Sequence, residues 1–124
     1  IIKSKSGEMS QNGSEFLMNE VNAIIILNDK SEIIINSDHA IYNNSNYNTK
    51  FYGNVTSKYG EQTIFSQKMD LDFDKGFATI YEDVLYENLN TKINTDNVQL
   101  NLKTKDVLLS MDDKTKKINI NSKF

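Results

Sequence analysis

The sequence predicts an all-β protein, a bent antiparallel two-sheet β-jelly roll built from stacked hairpins. Three observations predict it: apolar and polar residues alternate with period two, a 29-residue unit repeats, and the alternation changes parity once in each unit. No window keeps the i, i+3, i+4, i+7 spacing of an amphipathic helix over a helix-length span. A chain of 124 residues has room for one core, so residues 1–124 are expected to form a single domain.

Alternating stretches separated by clusters of Asn, Asp, Gly and Lys predict eight strands. The strands are expected near residues 15–27, 33–42, 50–59, 63–73, 77–88, 92–102, 106–111 and 117–121. Residues 1–14 precede the first predicted strand and are expected to be a flexible or irregular N-terminal segment.

The repeat organises these strands into hairpins. Residues 35–42 recur as residues 64–71 and again as residues 93–100, each 29 positions further on. Within each copy the apolar residues move from one parity to the other, at Asp38–His39, Gln67–Lys68 and Asp96–Asn97. Because side chains alternate strictly along a strand, both apolar sets can face inward only if the strand carries a bulge or bend at that point. Strands bent at equivalent points stack into two facing layers.

Composition excludes several function classes. The net charge is −3 and all 14 basic residues are lysines, which argues against a nucleic-acid partner. The absence of cysteine excludes a disulfide framework, a thiolate nucleophile and a zinc–cysteine site. The longest apolar run, residues 23–27, is too short to cross a bilayer.

The sequence contains no convincing catalytic, metal or cofactor site. His39 is the only histidine, and its position beside Asp38 favours a local hydrogen bond over catalysis. Asp70, Asp72 and Asp74 resemble the start of a calcium loop, but the glycine follows one place too late and the intervening Leu71 and Phe73 are apolar. We therefore expect a protein that is not an enzyme and needs no cofactor.

Short motifs within the repeat resemble the OstA-like family of lipopolysaccharide-export proteins, which includes LptC, LptA and the N-terminal part of LptD. Residues 50–55, Lys-Phe-Tyr-Gly-Asn-Val, resemble the family's L-x-G-x-V strand, and residues 36–40 and 94–98 resemble its strand starts. The resemblance covers roughly residues 33–121, and the run 93–107 is most similar to LptC, with LptA a close second. One departure is Glu82, which stands where the family has glycine.

The resemblance implies a non-enzymatic transport component of the periplasm, anchored to the inner membrane by an N-terminal helix that would precede residue 1. In such a protein the acyl chains of lipid A lie in the apolar interior, and the lipid passes along jelly rolls paired end to end. The implied lipid-binding interior consists of Tyr42, Phe51, Val55, Met69, Leu71, Phe73, Ile80, Val84, Leu100, Leu102, Leu109 and Met111. The implied C-terminal edge of Ile118, Asn119 and Ile120 would receive an LptA-like protein, and the N-terminal edge near residues 15–27 the inner-membrane Lpt transporter.

Two alternatives stay open on the sequence alone. LptC and LptA differ in whether a transmembrane helix or a cleaved signal precedes the domain, and that region lies upstream of residue 1. The same alternation also suits a structural or adhesive β-repeat module with a closed core and no lipid ligand, because every β-sandwich needs inward apolar residues.

Overall fold

The computed structural model describes residues 2–111 and 120–123 of the chain. Within these residues the chain forms nine β-strands: β1 (Ile2–Met9), β2 (Glu15–Ile26), β3 (Glu32–Asn43), β4 (Thr49–Tyr59), β5 (Gln62–Asp72), β6 (Phe77–Asn88), β7 (Thr91–Asn101), β8 (Asp106–Ser110) and β9 (Ile120–Lys123). The ends of β2 to β8 lie within one residue of the predicted ends. Residues 117–119 of the last predicted strand lie outside the described residues.

Each strand pairs antiparallel with the next, so the strands follow chain order in one continuous sheet. The hairpin turns are stabilised by a recurring side-chain contact at 29-residue intervals. The Oδ1 atoms of Asn43, Asp72 and Asn101 accept backbone N–H groups two or three residues further on, at 2.8 to 3.0 Å. An Asn or Asp side chain that accepts such a bond closes a turn, so the repeat encodes its own turns.

The sheet bends at the predicted parity changes. In β3 the buried positions run through Ile35 and Ser37 and then continue at Ala40. In β5 the buried positions change parity between Ser66 and Met69, and in β7 they do so between Thr95 and Val98. The predicted bends at Asp38–His39, Gln67–Lys68 and Asp96–Asn97 are therefore confirmed.

The extra residues that produce the bend lie on the alternate strands, β4 and β6. Gly53 and Asn54 of β4 stand opposite one residue of β5, and Glu82 and Asp83 of β6 stand opposite one residue of β7. All four have positive φ, between 47° and 81°. A two-residue bulge in the left-handed conformation turns the strand sharply, and this geometry favours glycine and asparagine.

A buried hydroxyl accompanies each bend on β3, β5 and β7. Ser37 Oγ donates to the carbonyl oxygen of His39 at 2.9 Å, and Ser66 Oγ donates to that of Lys68 at 3.2 Å. Thr95 Oγ1 donates to the carbonyl oxygen of Ser110 at 2.8 Å and lies 3.4 Å from that of Asn97. A buried carbonyl without a partner is costly, so these hydroxyls satisfy the backbone where the ladder is interrupted.

The bend divides the sheet into two layers that face each other. The first layer contains residues 21–26, 32–37, 55–59, 62–66, 84–88 and 91–95, and the second contains residues 15–19, 39–43, 49–52, 68–72, 77–81, 97–101 and 106–110. Buried side chains from both layers form one core cluster. Lys105, in the β7–β8 turn, joins the layers because its Nζ pairs with Asp29 and lies 5.8 Å from the Tyr59 ring centroid. The two predicted sheets are thus halves of one bent sheet.

The expectation of an irregular segment over residues 1–14 is wrong for Ile2–Met9, which form β1 and pair with residues 16–23 of β2. Every residue of β1 except Ile2 is exposed. A strand exposed on both faces needs no apolar alternation, so its sequence carries no period-two pattern.

Candidate functional site: an apolar cavity between the layers

A cavity of about 510 Å³ opens between the two layers at the β1–β5 side of the sheet. No charged side chain lines it, and apart from the tyrosine hydroxyls and the Met18 thioether its side chains are aliphatic or aromatic: Ile2, Phe16, Met18, Ala23, Ile24, Ile25, Ile26, Tyr42, Tyr47, Phe51, Leu71 and Phe73. The volume falls within the range of small-molecule pockets in proteins, about 300–1,000 Å³. The site can therefore hold an apolar ligand without help from charged groups.

Both layers contribute to the cavity. The segment from Ala23 to Ile26 and its neighbour Ile2 form the wall of the first layer, since Ile2 pairs with Ala23. Phe51 and Leu71 form the floor of the second layer and are almost completely buried. The floor is thus part of the core, which gives the site a rigid base.

The mouth of the cavity has large apolar side chains in contact with solvent. Phe16, Phe73, Tyr47 and Ile26 are between 37% and 59% exposed. The ring centroids of Tyr47 and Tyr42 lie 6.0 Å apart, so the aromatic surface is continuous from the rim to the interior of the cavity. Exposed apolar groups that adjoin a concavity are typical of a binding surface, whereas scattered ones are ordinary.

The predicted lipid-binding interior divides into two groups. Tyr42, Phe51, Leu71 and Phe73 line the cavity, although Phe73 is 41% exposed at the rim and not enclosed. The buried remainder fills the core without reaching the cavity: Val55, Met69, Ile80, Val84, Leu100 and Leu109. Leu102 packs partly buried against this core, and Met111 is half-buried.

Several lining residues were missed by sequence reasoning. Ile2 and Phe16 come from β1 and the start of β2, and Tyr47 from a polar turn. The apolar run 23–27 could have indicated the cavity wall, because it is apolar at both parities where a half-buried strand needs only one.

The predicted partner edges are also partly revised. β1 pairs with residues 16–23 and so covers most of the predicted N-terminal edge near residues 15–27, and the first strand of the sheet is β1. At the other end β9 is the last strand, with Ile120 paired to Leu109. Ile118 and Asn119 lie outside the described residues.

Tyr42 and Tyr47 are the only ionisable residues among the described residues that line the cavity. Burial, followed by the neighbouring Asp70 carboxylate, raises the pKa of Tyr81, whose hydroxyl donates to Asp70 at 3.2 Å on the outer face. Burial also raises the pKa of Tyr86, which donates to Gln62 Oε1 at 2.8 Å. His39 Nδ1 lies 2.8 Å from Asn19 Oδ1, so its local hydrogen bond is to Asn19.

No three metal-ligating side chains converge within residues 2–111 and 120–123, and Asp70 and Asp72 belong to β5. The same residues contain no helix long and apolar enough to span a membrane.

The fold and the cavity define a class of protein, a repeat-built bent β-jelly roll with an apolar groove between its layers. The family described as LptA/(LptD N-terminal domain) LPS transport protein matches residues 34–122, more than half of the chain. The chain therefore belongs to this family of lipopolysaccharide transport proteins, whose members are non-enzymatic transport components. The resemblance to LptC in particular stays a prediction.

A solved structure shows the same fold. It is LptH from Pseudomonas aeruginosa, described as the LptA homologous periplasmic component of the conserved lipopolysaccharide transport device. The two chains share 5% identity and superpose with a TM-score of 0.69 over 100% of this chain and 92% of LptH. A search of curated protein sequences finds no match.

Proposed function

We propose that this chain carries lipopolysaccharide through the periplasm, with lipid A acyl chains in the cavity between its layers. The observation that carries the proposal is the open cavity of about 510 Å³ with an aliphatic and aromatic lining, in a member of a lipopolysaccharide transport family. Removing a methylene group from water is worth about 0.8 kcal/mol. A tail of several methylenes is therefore held firmly by burial alone, and can slide because no directional bond must break.

Within the predicted interior, Tyr42 and Phe73 contact the acyl chains in this proposal, because they line the cavity and are accessible, while Phe51 and Leu71 form the buried floor beneath them. The deeper residues act as its support. Val55, Met69, Ile80, Val84, Leu100, Leu102, Leu109 and Met111 would meet lipid only if the layers separate further along the stack.

The alternative of a structural or adhesive module with a closed core is less consistent with the cavity. A closed core places its large apolar residues in contact with each other, at the packing density of protein interiors. Here Phe16, Tyr47 and Phe73 surround open space and remain exposed. Exposing them costs stability unless a ligand uses them.

Pairing with other Lpt proteins at the two sheet ends would provide the path for the lipid. An edge strand has unpaired backbone groups that another strand can extend. We assign the inner-membrane Lpt transporter to β1 and an LptA-like protein to the C-terminal edge strand β9. An N-terminal membrane helix upstream of residue 1 would hold the chain at the inner membrane.

Photo-crosslinking at two matched phenylalanines tests the lipid site. Phe73 lines the cavity and is 41% exposed, whereas Phe65 is 40% exposed on the outer face of the first layer. A photoreactive residue at position 73 should capture lipopolysaccharide in cells, and one at position 65 should not. Equal capture at both positions would contradict the proposal.

A further inference from the structure

The chain contains one Asn–Gly pair, Asn12–Gly13, which lies in the turn between β1 and β2. We propose that this turn is a self-modifying site, at which the backbone nitrogen of Gly13 displaces the side-chain amide of Asn12. The products are aspartate and isoaspartate at position 12. The proposal concerns the N-terminal hairpin and is independent of the lipid cavity.

The turn holds the Asn12 side chain in one orientation. Asn12 Oδ1 accepts the N–H of Ser14 at 3.1 Å, and because a backbone N–H can only donate, the oxygen and not the Nδ2 group faces Ser14. The hydroxyls of Ser14 and Ser10 donate to the same oxygen at 2.6 and 2.8 Å. Three donors therefore converge on the carbonyl oxygen of the Asn12 amide.

These donors favour attack on the carbonyl carbon of that amide. The Gly13 nitrogen loses its proton to hydroxide and bonds to Asn12 Cγ, so the electron pair of the C=O bond moves to Oδ1 and negative charge develops there. Donors already aimed at this oxygen stabilise the charge, as they do in an oxyanion hole. The intermediate then expels Nδ2, which takes a proton from water and leaves as ammonia, and a five-membered succinimide remains.

Water completes the reaction by opening the succinimide at one of its two carbonyl carbons. If the bond between the Gly13 nitrogen and Cγ breaks, the product is aspartate. If the bond between that nitrogen and the backbone carbonyl carbon of Asn12 breaks, the product is isoaspartate, and the main chain then runs through Cγ. Both products carry a carboxylate where Asn12 was neutral.

The surroundings of Gly13 leave room for this reaction. An added Cβ at Gly13 would meet nothing within 4 Å, so the turn is open on that side. The Gly13 N–H donates to the Ser10 carbonyl oxygen at 2.9 Å, and this hydrogen bond must open before the nitrogen reacts. Asn44–Ser45, in the β3–β4 turn, is the natural comparison. Its second residue carries a side chain, and Asn44 is held through Nδ2, which donates to the Gly13 carbonyl oxygen at 2.9 Å.

Isoaspartate at position 12 should loosen the edge strand, because it adds one carbon atom to the backbone of the turn. The carbonyl oxygens of Gly13 and Ser14 each accept a hydrogen bond from Asn44 at 2.9 Å, and a lengthened turn displaces them. Every residue of β1 except Ile2 is exposed, so few apolar contacts hold the strand. Such segments open locally at little cost in free energy. We therefore expect β1 to separate from β2 more often after the modification.

The experiment incubates the folded protein at mildly alkaline pH and follows deamidation by peptide mass spectrometry, with enzymatic methylation to identify isoaspartate. Asn12 should convert faster than every other asparagine, Asn44 included. Ser14→Ala removes one hydroxyl donor and should slow the conversion of Asn12 about fivefold, the effect of one neutral hydrogen bond. Ser45→Ala, in the neighbouring turn, is the control and should leave the rate at Asn12 unchanged. In concentrated urea the parent and Ser14→Ala should react at equal rates, because the turn is unfolded.

A second measurement tests the effect on β1. Hydrogen exchange of the β1 amides should be faster in the isoaspartate fraction, isolated by ion exchange, than in the parent. Asn12→Asp supplies the new charge without changing the backbone, so its β1 amides should exchange as in the parent.

Four outcomes would contradict the proposal. Equal rates in folded parent and folded Ser14→Ala, or faster conversion at Asn44 than at Asn12, would overturn the self-modifying site. Unchanged exchange in the isoaspartate fraction, or equally fast exchange in Asn12→Asp, would overturn the loosening of β1 by the lengthened backbone.

Discussion

Ser57 and Met69 touch across the interior, with Ser57 Oγ 3.3 Å from Met69 Sδ. They are not ladder partners, because Ser57 pairs with Ile64 and Met69 pairs with Phe51. Ser57 belongs to the first layer and Met69 to the second. The contact therefore shows directly that the bend brings the two halves of the sheet face to face.

Truncating Met69 should loosen this contact between the layers. Met69 has no solvent exposure, so Met69→Ala removes buried apolar atoms and leaves a cavity that costs about 2–5 kcal/mol of unfolding free energy. The measurement is urea denaturation. Leu89→Ala is the control, since Leu89 is 80% exposed and should change stability by less than about 0.5 kcal/mol. Similar losses in both variants would contradict the two-layer packing.

Alanine at Gly53 should destabilise the bulge of β4. Gly53 has a φ of +81°, and an added Cβ would lie 3.0 Å from Asp38 Cβ. Gly13 is the control, because its φ is +70° and nothing lies within 4 Å of an added Cβ. Gly13→Ala should cost about 1–2 kcal/mol for the left-handed backbone alone, and Gly53→Ala should cost more. Thermal unfolding of both variants provides the comparison, and an equal loss would mean that the Asp38 contact is unimportant.

Glycine at position 82 should stabilise the corresponding bulge of β6. Glu82 has a φ of 65° and occupies the slot that Gly53 fills one repeat earlier. Glu82→Gly relieves about 1–2 kcal/mol of left-handed strain and loses only a half-exposed ion pair with Lys68, worth about 0–1 kcal/mol. A higher thermal midpoint is expected at neutral pH. A clear decrease would show that the Lys68 contact matters more than the backbone strain.

Removing the buried hydroxyl of Thr95 should weaken the bend of β7. Thr95→Val keeps the shape of the side chain but leaves the Ser110 carbonyl without its 2.8 Å hydrogen bond. A buried unpaired carbonyl costs about 1–3 kcal/mol, and because Ser110 is only half-buried we expect a loss near the lower end, about 1 kcal/mol, measured by denaturant titration. Thr91→Val, at an exposed position, should be nearly neutral. A neutral Thr95→Val would contradict the role assigned to these hydroxyls.

A proline scan along Lys3, Ser4, Lys5 and Ser6 should test strand pairing at β1. Alternate N–H groups of an edge strand point towards β2 and away from it, so proline should affect alternate positions differently. At outward positions we expect normal thermal stability and loss of binding to the inner-membrane Lpt transporter. At inward positions we expect lower stability as well. Full binding by every stable variant would exclude strand addition at this edge.

The sequence by itself determined strands β2 to β8, the turns between them and the bends. Period-two alternation is a local property, and the bend occurs once in each of the three 29-residue copies. The ends of β2 to β8 could therefore be placed within one residue. The change from Ser37 to Ala40, for example, requires a bend wherever the two residues lie in space. Strand β1 escaped prediction because an edge strand exposed on both faces has no apolar pattern to detect.

The tertiary structure alone decided where the interior is filled and where it is open. Tyr42 and Ile80 are both apolar residues on the inward parity, yet Tyr42 lines the cavity and Ile80 is sealed in the core. That difference depends on how far apart the two layers lie at each point, and on residues distant in sequence, such as Ile2 and Phe73, which meet only after the sheet has bent. Alternation reports which face of a strand points inward, and it contains no information about the distance to the opposite layer.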